Sequence, residues 1–110
     1  ILTNISPGMP AYDEELFGPV ASVFEVKDDA EAIKLANDTQ YGLGATIWTG
    51  DEERGKLLGK GIRTGSISIN GMVKSDPRLP FGGVKASGYG RELSEFGIKE
   101  FVNIKTVNVF

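Results

Sequence analysis

The chain contains no cysteine and no histidine. Together these absences remove disulfide staples, the usual zinc ligand sets, thiol nucleophiles and imidazole bases. Any chemistry of these residues alone must come from Ser, Tyr, Lys, Asp or Glu, and no metal site is expected. An excess of positive charge is missing too. Lys and Arg number 12 against 15 Asp and Glu, for a net charge of −3, and no basic cluster of the kind nucleic acid needs is visible. Apolar runs such as Val20–Phe24 fall far short of the ~20 residues that a membrane-spanning helix requires. No basic segment followed by an apolar stretch opens the chain as a secretory signal would. A cytoplasmic setting is expected, with neither membrane nor nucleic acid as a partner. The first residue is Ile1 rather than Met, and the expectation is a piece of a longer protein.

Glycine, by contrast, is abundant. The 15 glycines among 110 residues are about twice the ~7% average. They sit singly between apolar runs and gather in Gly82–Gly90. This distribution indicates turns and close backbone approaches.

The patterning alternates strand and helix. Val20–Val26 is rich in β-branched residues and reads as a buried strand. Asp28 then offers an N-cap with Glu31 three residues on, so a helix is expected through about Asp38, with Ala30, Ile33, Leu35 and Ala36 inward. Gly44–Thr49 is the second strand. Asp51 caps a second helix whose first turn carries Glu52 and Glu53, with Leu57 and Leu58 on its buried side and Gly59 and Gly61 at its end. Ser66–Asn70 is the third strand. Helix-containing connections of this length favour parallel pairing. The fold class is therefore α/β, with a parallel βαβαβ half-sheet over Val20–Asn70. Ligand contacts in such sheets lie beyond the carboxyl ends of the strands, which draws attention to the long Gly71–Gly90 loop. A short helix over Arg91–Phe101, with Leu93, Phe96 and Phe101 as its apolar contacts, and a last strand over Asn103–Phe110 complete the reading.

Some motif matches carry no chemistry. Gly50–Leu57 nearly fits a phosphate-binding P-loop, but Leu57 stands where a magnesium-ligating Ser or Thr is required, and three carboxylates crowd the cradle. It reads as a charged helix start. Asn4-Ile5-Ser6 and Asn37-Asp38-Thr39 match the glycosylation pattern without a secretory context. Gly82-Gly83 and Gly88-Tyr89-Gly90 fit either an anion-binding nest or a tight loop that needs positive φ; the tight loop is favoured because no strand leads directly into it. Glu14–Pro19 unites a carboxylate, an aromatic ring and a Gly-Pro turn. Such a segment can present an acceptor pair and a flat face to one ligand, or simply two solvated acids and a core ring.

Two of these stretches carry a family resemblance. Glu15-Leu16-Phe17-Gly18-Pro19 resembles the Glu-x-Phe-Gly-Pro cofactor motif of the aldehyde dehydrogenase superfamily. Pro80-Phe81-Gly82-Gly83-Val84-Lys85-Ala86-Ser87-Gly88-Tyr89-Gly90-Arg91-Glu92 resembles its Pro-Phe-Gly-Gly…Ser-Gly…Gly-Arg-Glu signature. Their order and separation match as well, and so does the terminal Lys105-Thr106-Val107 segment. The loop Gly71–Leu79 with Gly83–Gly88 is most similar to bacterial succinate-semialdehyde dehydrogenases.

The resemblance implies the C-terminal part of an NAD(P)-dependent enzyme, with NAD or NADP as cofactor and an aldehyde, succinate semialdehyde among the candidates, as substrate. It implies a cysteine nucleophile, a glutamate base and an oxyanion-hole asparagine upstream of Ile1, and a thioester hydrolysed to the acid, so the chain alone is expected to be inactive. By motif match, Glu15 holds the nicotinamide ribose hydroxyls, Phe17 packs against the nicotinamide, and Phe81 lines the aldehyde path. Ser75 or Arg78 grips a substrate carboxylate. Residues 1–101 are expected to be an incomplete catalytic domain and residues 102–110 an oligomerisation strand of a homodimer or homotetramer. The rival expectations are a dehydrogenase for a different aldehyde and a non-catalytic binding module on the same half-sheet.

Overall fold

Aspartates start both longer helices. In α2 (Asp29–Asn37) the side chain of Asp28 accepts from the Glu31 amide, and Glu31 reaches back to accept from the Lys27 amide at 2.8 Å. In α3 (Glu52–Gly59) Asp51 accepts from the Arg54 amide at 3.0 Å. Each cap satisfies amides that the first turn leaves without an intrahelical partner. Both helices lie where the sequence places them.

The computed structural model describes Ile1–Phe110 as two units, Ile1–Thr39 and Gln40–Phe110. The first holds α1 (Pro10–Asp13) and α2. Tyr12 is its hub: the ring meets Phe24 edge-on at 5.7 Å, and the hydroxyl donates to Asp38 at 2.5 Å. That bond, followed by burial and the Asp38 charge, holds the Tyr12 phenol above its usual value.

The second unit contains a β–α–β element. Strands β1 (Gly44–Ile47) and β2 (Ser66–Ile69) pair in parallel, Gly44 with Ser66 through Ile47 with Ile69, and α3 connects them. Ala45, Ile47, Ile67 and Ile69 share one face of the pair by the two-residue period. Leu58, expected inward, is half-buried, but the closest approach of α3 to that face is made by glycine. A Cβ on Gly55 would meet Thr49 at 2.9 Å and Ile69 at 3.1 Å, and one on Gly59 would meet Ile67 at 3.1 Å. Leu57, expected inward, is 67% exposed. Glycine lets the helix backbone approach the strand closely, which turns the intervening Leu57 outward.

Two further expectations, the Val20–Val26 strand and the length of the last helix, are corrected. Val20–Val26 is not a strand of the sheet, which has two strands and not three. Within the first unit it pairs only through Ser22 with Leu2, with the Leu2 amide on Ala21 at 2.8 Å and the Val23 amide on Leu2 at 2.9 Å. Its alternation suits a strand, but its partner here is a single residue near the chain end. Helix α4 (Ser94–Lys99) is shorter than Arg91–Phe101, because Glu92 is engaged in a bridge with Phe81 and Leu93 and Ser94 have φ of 64° and 54°. Asn103–Phe110 forms no strand within this chain, where no segment pairs with it.

No apolar side chain is buried; the buried residues are Gly42, Gly55, Gly83 and Gly97. Trp48, Phe101 and Phe110 stand largely exposed. Large apolar side chains normally find cover in a folded protein. These units are local frameworks with open apolar faces.

Candidate functional site

The Glu14–Pro19 segment belongs to the first unit. Helix α1 begins on Pro10, whose fixed φ suits a first helical turn, and ends at Glu14, which is extended. Residues 15–17 form neither helix nor turn. The Val20 amide then bonds the Gly18 carbonyl at 2.8 Å, closing a tight turn around Pro19. Glu15 is exposed and the Phe17 ring is 92% exposed. The exposed segment carries a carboxylate acceptor and a flat apolar ring two residues apart, groups suited to hydroxyl donors next to a planar group. A cavity of about 670 Å³ also opens in this unit, lined by Asn4, Pro7, Tyr12, Phe24, Lys34 and Leu35 among others. Neither Glu15 nor Phe17 lines it, so the sequence-derived site and this cavity are different places.

Ser75, Arg78 and Phe81 lie together on the loop that follows β2. At its start, Asn70 adopts φ 52°, and its side-chain amide accepts from the Thr49 amide and donates to the Thr49 carbonyl, both at 2.8 Å. In effect the side chain adds one more rung beyond the carboxyl ends of the strands. Asp76-Pro77-Arg78-Leu79 then makes a tight turn, with the Leu79 amide on the Asp76 carbonyl at 2.9 Å. Asp at the first position and Pro at the second favour such a turn. The Asp76 carboxylate accepts from the Arg78 amide, from Nε at 2.9 Å and from Nη2 at 2.7 Å. The Arg78 side chain, followed by its backbone amide, holds the Asp76 carboxyl at about 2, well below the usual 3.8, and Arg78 is raised in turn. Ser75 is exposed beside this closed pair.

Phe81 is half-buried. Its amide donates to Glu92 at 2.9 Å and its carbonyl accepts from Glu92 at 2.7 Å, an antiparallel pair that closes the Gly82–Arg91 loop. The loop is fastened to the segment ahead of β1. The Val84 amide bonds Gly42 and the Ala86 amide bonds Gln40, both at 2.9 Å, while Ser87 Oγ accepts from the Gly42 amide at 2.9 Å. The amides of Phe81, Val84, Ala86 and Ser87 all serve protein acceptors. Gly88 and Gly90 have φ of 140° and 64°, a region that favours glycine.

Three residues to which the sequence assigned no role of their own shape this loop: Asn70, Ser87 and Arg91. Asn immediately after a strand and before Gly71 was a signal for Asn70, since Asn tolerates the left-handed region. Ser87 and Arg91 fall within the quoted signature, but their partners, the Gly42 amide for Ser87 and the Gly83 and Gly90 carbonyls for Arg91, are backbone groups that no side-chain pattern specifies.

The profile of the aldehyde dehydrogenase family matches residues 1–107. A probable succinate-semialdehyde dehydrogenase [NADP(+)] of Synechocystis is 56% identical over 107 residues, covering 97% of this chain and 24% of that protein. Succinate-semialdehyde dehydrogenase [NADP(+)] 1 of Mycobacterium bovis is 55% identical, with 97% of this chain and 23% of that protein covered. Among solved structures, succinic semialdehyde dehydrogenase from Streptococcus pyogenes, in complex with NADP+, superposes with a TM-score of 0.88 at 46% identity, over 96% of this chain and 24% of that one. The chain spans about a quarter of the length of these relatives. With a match over nearly its whole length, this chain belongs to the aldehyde dehydrogenase family.

Proposed function

We propose that these residues are the part of an NAD(P)-dependent aldehyde dehydrogenase that holds the nicotinamide end of the cofactor and one wall of the aldehyde path. The observation that carries this reading is the exposed pairing of Glu15 with Phe17 on one short segment. The residues fit the cofactor: a carboxylate accepts from the two ribose hydroxyls, and a bare ring packs against the nicotinamide. When bound, the cofactor supplies the hydride acceptor. Glu15 and Phe17 restrict its orientation, and orientation governs how often a reactive geometry is reached. Phe81 lines the aldehyde path. The acyl group is carried on a cysteine outside these 110 residues, since the chain has none. Residues 102–110 add a strand to a second subunit in a homodimer or homotetramer.

Succinate semialdehyde is the proposed substrate, with Ser75 and Arg78 holding its carboxylate. The names of the most similar relatives support it. A second reading, an uncharged aldehyde, is favoured by one observation: Asp76 already occupies the Nε–Nη2 edge of Arg78. The deciding experiment compares kcat/KM for succinate semialdehyde and for butanal, a neutral aldehyde of equal chain length, in the enzyme that carries this chain. A preference for succinate semialdehyde that Arg78→Ala abolishes supports the first reading. A preference for butanal that Arg78→Ala leaves alone supports the second. Reduction of neither cofactor with either aldehyde would defeat both.

A further inference from the structure

Arg91 lies at the neck of the signature loop, one residue before the partner of Phe81. Its Nη1 donates to the carbonyl of Gly83 at 2.9 Å and to that of Gly90 at 2.6 Å, so one nitrogen joins the two arms of the loop. On the opposite side, the Glu100 carboxylate packs where a Gly90 side chain would sit, and it accepts weakly from the Arg91 amide at 3.4 Å. The backbone around this neck is strained. Gly90, Leu93 and Ser94 all have positive φ, and a residue with a side chain stays there only where its surroundings hold it. The middle of the loop is anchored elsewhere, through Val84, Ala86 and Ser87 on Gln40 and Gly42. At the neck the Phe81–Glu92 backbone pair closes the loop, and Arg91 is the side chain that braces that closure.

From this geometry we infer that Arg91 is a positioning residue for Phe81, fixing the ring that sets which aldehydes the site accepts. The inference rests on the proposed place of Phe81 in the aldehyde path. Arg suits the task because its planar guanidinium aims donors in fixed directions, whereas a lysine ammonium is a mobile point charge. Removing Arg91 leaves the middle of the loop attached and loosens only the neck. The expected result is altered selectivity rather than loss of the fold.

The test uses the full-length enzyme that carries this chain, as wild type, Phe81→Ala, Arg91→Ala and the double variant. The reading is the ratio of kcat/KM for a linear and a branched aldehyde. Phe81→Ala and Arg91→Ala should move this ratio in the same direction, Phe81→Ala by about tenfold, the scale of a changed hydrophobic pocket wall. The double variant should go no further than Phe81→Ala, because residues acting through one another are not additive. If Arg91→Ala lowers Tm and slows all aldehydes equally, Arg91 is only structural and the proposal is overturned. Independent, multiplying effects overturn it as well. If Phe81→Ala itself leaves the ratio unchanged, the underlying reading of Phe81 fails and the proposal falls with it. Should Arg91→Ala not fold, Arg91→Lys is measured the same way, and wild-type selectivity in that variant refutes the proposal.

Discussion

A single methyl group at Gly65 should displace the signature loop. Gly65 precedes β2, and its amide donates to the Gly42 carbonyl at 3.0 Å. A Cβ built there would lie 1.6 Å from the carbonyl oxygen of Gly82, 2.7 Å from its carbon and 3.1 Å from the Gly83 Cα. A comfortable contact is about 3.5 Å, so one backbone must retreat by roughly 2 Å. No flexible side chain is available to yield. The Val84 amide shares the Gly42 carbonyl with the Gly65 amide, so retreat strains both bonds, each worth about 1 kcal/mol net. Overpacking adds about 2 kcal/mol more, for a cost of about 4 kcal/mol. Gly50→Ala is the control, since nothing lies within 4 Å of a Cβ there. In the full-length enzyme Gly65→Ala should melt well below wild type and change aldehyde selectivity, while Gly50→Ala does neither. Equal melting temperatures for the two variants, with unchanged selectivity, would refute the placement of Gly82 over Gly65.

Three other predictions follow from the same structure. Glu15→Gln removes the charge from a ribose hydrogen bond worth roughly 1.5–3 kcal/mol, so hydride transfer in stopped-flow should slow about tenfold to a hundredfold if that bond is felt in the transition state; unchanged binding and transfer would refute the role. The Asp76 carboxyl is depressed to about 2, so its contribution to the turn is complete above the unfolded value near 3.8 and is lost as pH falls through about 2. A carbon NMR titration should therefore show Asp76 still ionised at pH 4, and a midpoint at the ordinary value would contradict the Arg78 pairing. Deleting Lys105–Phe110 should lower the assembly mass measured by light scattering, because an unpaired β-prone segment gains its backbone partners from another chain; native mass after deletion removes it from the interface.

What the sequence made legible was local chemistry. Asp28 and Asp51 marked the starts of α2 and α3 because an aspartate cap acts within three residues. The short apolar stretches Gly44–Thr49 and Ser66–Asn70 likewise located β1 and β2. Helix α1 escaped notice because its four residues are too few for a periodic signal and Met9 offers no side-chain cap. Val20–Val26 had the pattern of a strand, but a strand is completed by its neighbour, and here it finds only Leu2. Leu57 misled because hydrophobicity does not reveal which side of a helix a strand approaches; the close contacts at Gly55 and Gly59 decided that. The motif residues Glu15, Phe17 and Phe81 were readable by resemblance. Arg91 and Ser87 lie in the same signature, but their roles were not readable, since they bind carbonyls and amides that any residue carries.

The most direct measurement locates the acyl group during turnover. The enzyme that carries this chain is mixed with NADP+ and succinate semialdehyde, quenched in acid and digested, and the peptide bearing the acyl mass is identified. The account predicts a labelled cysteine on a peptide outside Ile1–Phe110. Acylation of any residue between Ile1 and Phe110, or NADPH formation without a labelled cysteine, would contradict it.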